Sequence, residues 1–383
     1  MNDRLAQALA FVESNRDEME RWIARLVSVN SFTDNPEGGR KVGAMVREML
    51  DGADLRCRVH RSERFADHLV FATPAKGKPI ALVGHLDTVF PPGTFEGYRR
   101  EGNVARGPGV LDMKGGLVLA GFALLALRHV GALEGLPLRF VIVADEEIGS
   151  PESQALLRDV CRDAQAALVL EAGRAQDAII TRRKGTGGMK AIAHGKAVHA
   201  GNLHHEGVNA IWALARFIDE AQKLTDYSRG VTVNVGKISG GQGKNTVPDR
   251  AEAELDIRFT TAEDGNALVG SIFDVARKAA ASVEGASIEL EGGVMRAPLE
   301  RTEASAALYA EYAACARASG LGDGEAALIG GGSDANTLSA IGIPAIDGLG
   351  PRGKGFHTKD EQIELDSLVP KAQALVRMLL GRT

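Results

Sequence analysis

Between Ile80 and Glu147 hydrophobic backbone delivers acid or imidazole side chains three times over, and this repetition constrains the fold more than any other feature. Ile80-Ala-Leu-Val-Gly-His85-Leu-Asp87 reads as a buried strand ending in a histidine and a carboxylate. Gly107-Pro-Gly-Val-Leu-Asp112-Met-Lys-Gly-Gly116 sets an aspartate in a glycine-rich turn ahead of a long apolar helix. Arg139-Phe-Val-Ile-Val-Ala-Asp-Glu146-Glu147 is a second buried strand running into paired glutamates. Open α/β sheets hold their ligands at the carboxyl ends of their strands. Histidine with aspartate and paired glutamates is an oxygen and nitrogen donor set of the kind zinc takes in hydrolytic sites.

The flanking sequence fits the same architecture. Residues 1 to about 29 read as one or two helices, and 39–49 as another with Val42, Met45, Val46 and Leu50 on one stripe. Strands are expected near 57–60, 68–71, 140–144 and 167–171, with helices over 115–130 and 152–163. That alternation implies a mostly parallel sheet covered on both faces. The pattern changes near Arg182. From there 186–194, 231–239, 251–260 and 287–292 read as strands, and 208–224 and 263–281 as helices. Their order is β-α-β-β-α-β, a ferredoxin-like arrangement. Beyond 296 the α/β character returns, with helices over 303–319, 335–340 and 367–380 and strands over 326–329 and 344–347. The expected fold is therefore an α/β catalytic domain (1–182 and 296–383) interrupted by an inserted lid or dimerisation domain (183–295).

Composition narrows the function. With 383 residues the chain is too long for one ordinary core. A net charge of -5 argues against a nucleic-acid partner, which calls for a basic face. Cys57, Cys161 and Cys315 are odd in number and widely spaced, which suggests neither a disulfide framework nor a thiolate metal site. The N-terminal pattern is amphipathic, without the apolar stretch of a signal peptide. The uncharged run from Gly115 to Leu127 falls short of the ~20 residues a membrane span needs. A cytoplasmic protein with no membrane partner is expected.

Single residues carry less than their combination. His60, His68, His129, His194, His204 and His205 read by default as packed or solvated. His85 differs because Asp87, two residues on, can hydrogen-bond the imidazole and fix its tautomer. Asp112 alone could be a turn aspartate, and Glu146-Glu147 alone could cap the next helix. Together, at these spacings, they point to a metal-dependent site. In the inserted segment Leu255, Ile257 and Phe259 alternate with Glu254, Asp256 and Arg258, one face apolar and one polar. Gly330-Gly331-Gly332-Ser333 lacks the lysine or the frame of a phosphate loop and reads better as a pocket-shaping turn.

The motif series resembles the di-zinc amidohydrolases and exopeptidases that include carboxypeptidase G, acetylornithine deacetylase, succinyl-diaminopimelate desuccinylase and aminoacylase. It comprises the three stretches above followed by Leu170-Glu171-Ala-Gly, Gly195-Lys-Ala-Val-His199-Ala-Gly, Gly331-Gly332-Ser-Asp334 and Gly355-Phe-His357-Thr-Lys-Asp-Glu361. The likeness spans nearly the whole chain and is strongest to the glutamate carboxypeptidase branch. It implies Asp112 as a carboxylate bridging two zinc ions, His85 and Glu171 completing one and Glu147 and His357 the other, with cobalt or manganese as substitutes. It further implies Glu146 as general base, Asp87 as the partner of His85, and His199 as an oxyanion donor, often from a partner subunit. Arg258 and Asn245 would contact the substrate α-carboxylate, with Arg296 a further candidate. Met113 stands where many relatives have a second aspartate.

The expected reaction is hydrolysis of an amide beside a free α-carboxylate, in an N-acyl amino acid or at a peptide C-terminus, by a homodimer joined through the inserted domain. A biosynthetic deacylase of the acetylornithine or succinyl-diaminopimelate type would differ only in its pocket. A non-catalytic binder on the same fold would have no need of Glu146.

Overall fold

The Ile80–His85 strand is buried along its whole length, as a run of Ile, Ala, Leu and Val covered on both faces must be. In the computed structural model, which describes residues 2–382, it lies between Leu138–Val143 and Ala166–Val169, parallel to both. His68–Ala72 and Arg56–His60 extend the sheet antiparallel on one side, and Ala345–Ile346 extends it parallel on the other. The sheet is thus mixed and mostly parallel at its centre. From the Ile80 strand the chain goes to Leu138–Val143 on one side and then to Ala166–Val169 on the other, so the carboxyl ends of three parallel strands lie side by side, where open α/β sheets hold their ligands.

The helix Gly115–His129 is apolar all round and lies in the core with the helices Asn2–Ser14, Arg16–Val27 and Leu368–Leu380. The stretch Val110–His129 is apolar enough to cross a bilayer, but 94% of that apolar window is buried inside the protein. Gly116 lets the helix start press against the sheet, since a Cβ there would sit 2.3 Å from the Leu170 carbonyl oxygen.

Contacts divide the chain into two units: residues 1–182, 301–328 and 333–383 form one, and 183–300 with 329–332 the other. The expected boundary at 295/296 falls a few residues early. Ile329–Gly332, placed by sequence with the first unit, belongs to the second. There the Lys184 N–H donates to the Ile329 carbonyl at 2.8 Å, and Arg183 donates to the Gly331 carbonyl at 3.1 Å. The strand expected over 326–329 is not formed. Glu325 and Ile329 make only isolated bridges, to Ile179 and Arg183.

Two further differences are local. The third helix starts at Pro36, earlier than the apolar stripe suggests, because Asn35 caps it by accepting the Gly38 N–H at 3.2 Å. A small sheet of Gly353–Lys354, Gln362–Glu364, Val104–Arg106 and Arg99–Glu101 has no counterpart in the sequence reading. Its strands are two or three residues long, too short to show a period.

The second unit has the expected β-α-β-β-α-β order. Its antiparallel sheet runs Thr232–Gly240, Arg250–Phe259, Gly185–His194, Ser287–Arg296, and the helices Ala210–Gln222 and Ala262–Ala281 accompany it. Leu255, Ile257 and Phe259 enter its core with Met189, Ala191, Phe217 and Ile272. Glu254, Asp256 and Arg258 occupy the opposite face.

Candidate metal centre

His85, the Glu146–Glu147 pair and Glu171 sit where buried strands stop, whereas Asp112 lies in the loop before the Gly115 helix and His357 in a turn. His85 is the last residue of the central strand, and its side chain is fully buried. Its Nδ1 lies 3.1 Å from the Asp87 carbonyl oxygen and 3.4 Å from Asp87 Oδ1. A carbonyl only accepts, so Nδ1 carries a proton and Nε2 is the atom left for a cation. Nε2 is 3.2 Å from Asp112 Oδ1 and 3.8 Å from Glu171 Oε1. Glu171 comes from just beyond the Ala166–Val169 strand. The other oxygen of Asp112, Oδ2, is 3.4 Å from His357 Nε2, which in turn is 3.0 Å from Glu147 Oε2. One carboxylate therefore stands between a His85–Glu171 pair and a His357–Glu147 pair.

Among the described residues, two groups have ligand atoms within 4.8 Å of one another: His85 with Glu146 and Glu171, and His85 with Asp112 and Glu147. Burial lowers the His85 pKa, but hydrogen bonds to Asp112, Asp87 and Glu171 outweigh it and hold the imidazole well above its ordinary value. Hydrogen bonds to Asp112 and Glu147 raise His357 to about 10. Asp112 is held well below the usual carboxylate range because His357 and His85 outweigh its burial. Burial pushes Glu147 up to about 8, with the Asp112 charge adding to the push. Burial and then Asp112 raise Glu171. Three crowded carboxylates against two imidazoles are a cage short of positive charge.

Asp87 does more than hold His85. Its carboxylate accepts the Thr33 hydroxyl at 2.8 Å and the N–H groups of Glu146 and Glu147, both at 3.2 Å. It thereby fixes the 3₁₀ turn Glu146–Ile148 that follows the Leu138–Val143 strand. Paired glutamates can share a site here because regular strand alternation has already ended. The capping task that could have claimed them falls to Asp145 instead. Its carboxylate accepts the N–H groups of Glu152 (2.8 Å) and Ser153 (3.1 Å) at the start of the next helix. Met113 is fully buried, and its sulfur lies 3.2 Å from the His85 N–H. A second aspartate there would be stranded in apolar packing.

Thr33, Asp145 and Glu361 are the supporting residues that sequence reasoning passes over as parts of loops or motifs. Only Asp145 had a usable signal: it stands immediately before Glu146 and seven residues before Glu152, in reach of a helix start.

The second unit brings two more of the predicted residues together. Val198–His199 pairs with Thr246–Val247, and the Ala200 N–H donates to the Asn245 carbonyl at 2.9 Å. His199 is exposed, and its Nδ1 accepts the Gly201 N–H at 3.2 Å. In the neutral ring Nε2 then carries the proton and is a donor. Arg258 is engaged on its own strand, both guanidinium contacts going to Asp256 at 2.8 and 2.7 Å. Arg296 ends the Ser287–Arg296 strand and is buried.

Comparison with known proteins gives this arrangement its class. Residues 181–284 match the peptidase dimerisation domain of the M20 family. The chain is 26% identical to carboxypeptidase G2 of Pseudomonas sp. (strain RS-16) over 94% of its own length and 88% of that protein's. Among solved structures, aminopeptidase PepT of Bacillus cereus superposes with a TM-score of 0.81 at 23% identity, covering 96% of this chain and 98% of that one. The YXEP protein of Bacillus subtilis, described as a dinuclear metal-binding peptidase of the M20 family, gives 0.72 at 16% identity, covering 96% and 98%. Fold and site together define a hydrolytic metalloenzyme. Residues 181–284 match the M20 dimerisation domain, the chain is similar along its length to M20 peptidases, and it is a metallopeptidase-like, carboxypeptidase-like hydrolase.

Proposed function

We propose that this chain uses two zinc ions to hydrolyse an amide bond beside a free α-carboxylate, in an N-acyl amino acid or at the C-terminus of a short peptide. The observation that carries the reading is Asp112, with Oδ1 at 3.2 Å from His85 and Oδ2 at 3.4 Å from His357. The donor set fits the metal. Buried Glu147, Glu171 and Asp112 repel one another, and divalent cations would keep all three ionised. His85 and Glu171 would hold one ion, Glu147 and His357 the other, with Asp112 shared. Cobalt or manganese would suit the same nitrogen and oxygen donors.

Zinc bound there supplies Lewis acidity, polarising the scissile carbonyl and making water more acidic. The chain's own groups do the rest. Glu146, whose N–H Asp87 holds, takes the proton of the attacking water and returns it to the leaving amine. His199 offers an outward Nε2–H to the developing oxyanion. Arg258 binds the substrate α-carboxylate by exchanging it for Asp256, a bidentate contact suited to a guanidinium. Asn245 and Arg296 add further contacts to the substrate. Exposed Ile211, Trp212 and Ile238, along the first helix and the edge strand of the inserted unit, support a homodimer through that unit.

Release of free amino acid should be followed across a panel of N-acyl amino acids and C-terminal dipeptides, after chelation and again with zinc restored. Zinc-dependent release, lost when the α-carboxylate is amidated, is expected. Indifference to zinc, or equal turnover of the amidated substrates, would contradict the reading.

A further inference from the structure

Glu361 belongs to the His357 motif but is not one of the ligand candidates. It is fully buried, and the larger unit places its carboxylate inside the loop that carries Asp112. Oε1 accepts the N–H groups of Leu111 and Asp112, both at 2.9 Å, and Oε2 accepts that of Gly109 at 3.0 Å. These donors converge because Gly109 adopts φ +74° and so turns its N–H toward the same point as those that follow. The other end of the residue is equally fixed. Its own N–H donates to the Thr358 carbonyl at 3.1 Å, and the Thr358 N–H donates to the Gly355 carbonyl at 3.0 Å. His357 lies inside that turn, itself at φ +61°. Between Gly107 and Glu361 runs one further contact, from the Gly107 N–H to the Glu361 carbonyl at 3.4 Å.

We propose that Glu361 is the positioning residue that sets the spacing between Asp112 and His357, by clamping the Asp112 loop to the His357 turn. Asp112 lies outside any regular helix, at φ -119° and ψ 91°, so no ladder of backbone bonds holds it in place. Its N–H and two neighbouring ones find their partner in a single carboxylate four residues from the facing imidazole. A buried carboxylate receiving three N–H groups is a strong, directional clamp. Losing it would leave those donors unsatisfied and the loop free to relax. The inference rests on the two-ion reading of Asp112, and the test separates the two.

The test uses the full chain as Glu361→Gln, which keeps the shape but turns an amide toward one of the three donors. Metal affinity is measured by competition with a chromophoric chelator, and the visible absorption of the cobalt(II) form is recorded. Affinity should fall roughly 10–100-fold, the usual effect of losing a partner that orients a metal ligand. The cobalt bands should shift, while the metal-free protein keeps its circular dichroism. Glu361→Asp, which retains the charge one methylene short, should recover part of the affinity.

Unchanged affinity and unchanged cobalt bands in Glu361→Gln would overturn the proposal. If wild type itself bound no second ion, the two-ion reading would fail instead. Amide hydrogen exchange on metal-free wild type needs no variant at all. The N–H groups of Gly109, Leu111 and Asp112 should be protected, and exchange at the rate of an open loop would overturn the clamp even if Glu361→Gln did not fold.

Discussion

The two ends of this molecule's chemistry are built differently. In the larger unit His85 ends one of three adjacent buried strands and Glu146–Glu147 and Glu171 follow the other two; Asp87 and Asp145 hold the turn after Leu138–Val143, and Glu361 accepts three N–H groups of the Asp112 loop. In the inserted unit His199 and Asn245 sit on a ribbon of two-residue strands, and His199 is exposed with one hydrogen bond to its ring. Groups that must hold a cation need sub-ångström placement, which rigid strand ends and buried carboxylates supply. A group that meets substrate can sit on a lighter scaffold. The contrast teaches that in the first region loss of a supporting residue should matter, and in the second mainly loss of the contacting side chain.

The largest expected effect breaks the contrast at its strong end. Asp112→Ala should abolish turnover, because its carboxylate directly contacts both His85 (3.2 Å) and His357 (3.4 Å); activity in any substrate of the panel above background would contradict this. Next comes the division of labour in the glutamate pair. Glu146→Gln should cost about 10²–10⁴-fold in turnover with metal retained, whereas Glu147→Gln should lose metal as well. Elemental analysis beside initial rates distinguishes them, and near-wild-type turnover of Glu146→Gln would remove it as the base.

At the lighter end, His199→Ala should lower turnover by about 10²–10³-fold and leave metal content untouched. If the residue serves a partner subunit, mixing inactive Glu146→Ala and His199→Ala proteins after subunit exchange should regenerate activity. No recovery despite confirmed exchange would confine His199 to its own chain. The smallest effect sharpens the comparison. Thr33→Val removes one of three donors to Asp87 and should cost about tenfold or less in turnover. A loss as large as that of Glu146→Gln would mean the Asp87 turn depends on this hydroxyl alone.

Much of this was legible because it is repetitive. Buried strands such as Ile80–His85 announce themselves by continuous apolar runs, and the inserted unit by the alternation of Leu255, Ile257 and Phe259. His85, the glutamate pair and Glu171 stood out because each ended such a run, and Asp112 because it sits in a glycine-rich turn ahead of an apolar helix. What stayed hidden depends on contacts across long sequence gaps. Glu361 meets Gly109 across 252 positions, and Thr33 meets Asp87 across 54; neither pairing leaves a local pattern. The small sheet around Gln362–Glu364 is too short to show a period. The strand expected at 326–329 shows the converse, a β-like sequence that makes only isolated bridges, Glu325 with Ile179 and Ile329 with Arg183.

The central claim is that Asp112 is shared by two metal ions. Its most direct test is metal content after exhaustive dialysis against zinc-free buffer, measured by elemental analysis for wild type and Asp112→Ala side by side, with folding verified by circular dichroism. The account predicts two equivalents in wild type and the loss of both in the variant. A single tightly held ion in wild type that persists in Asp112→Ala would contradict it.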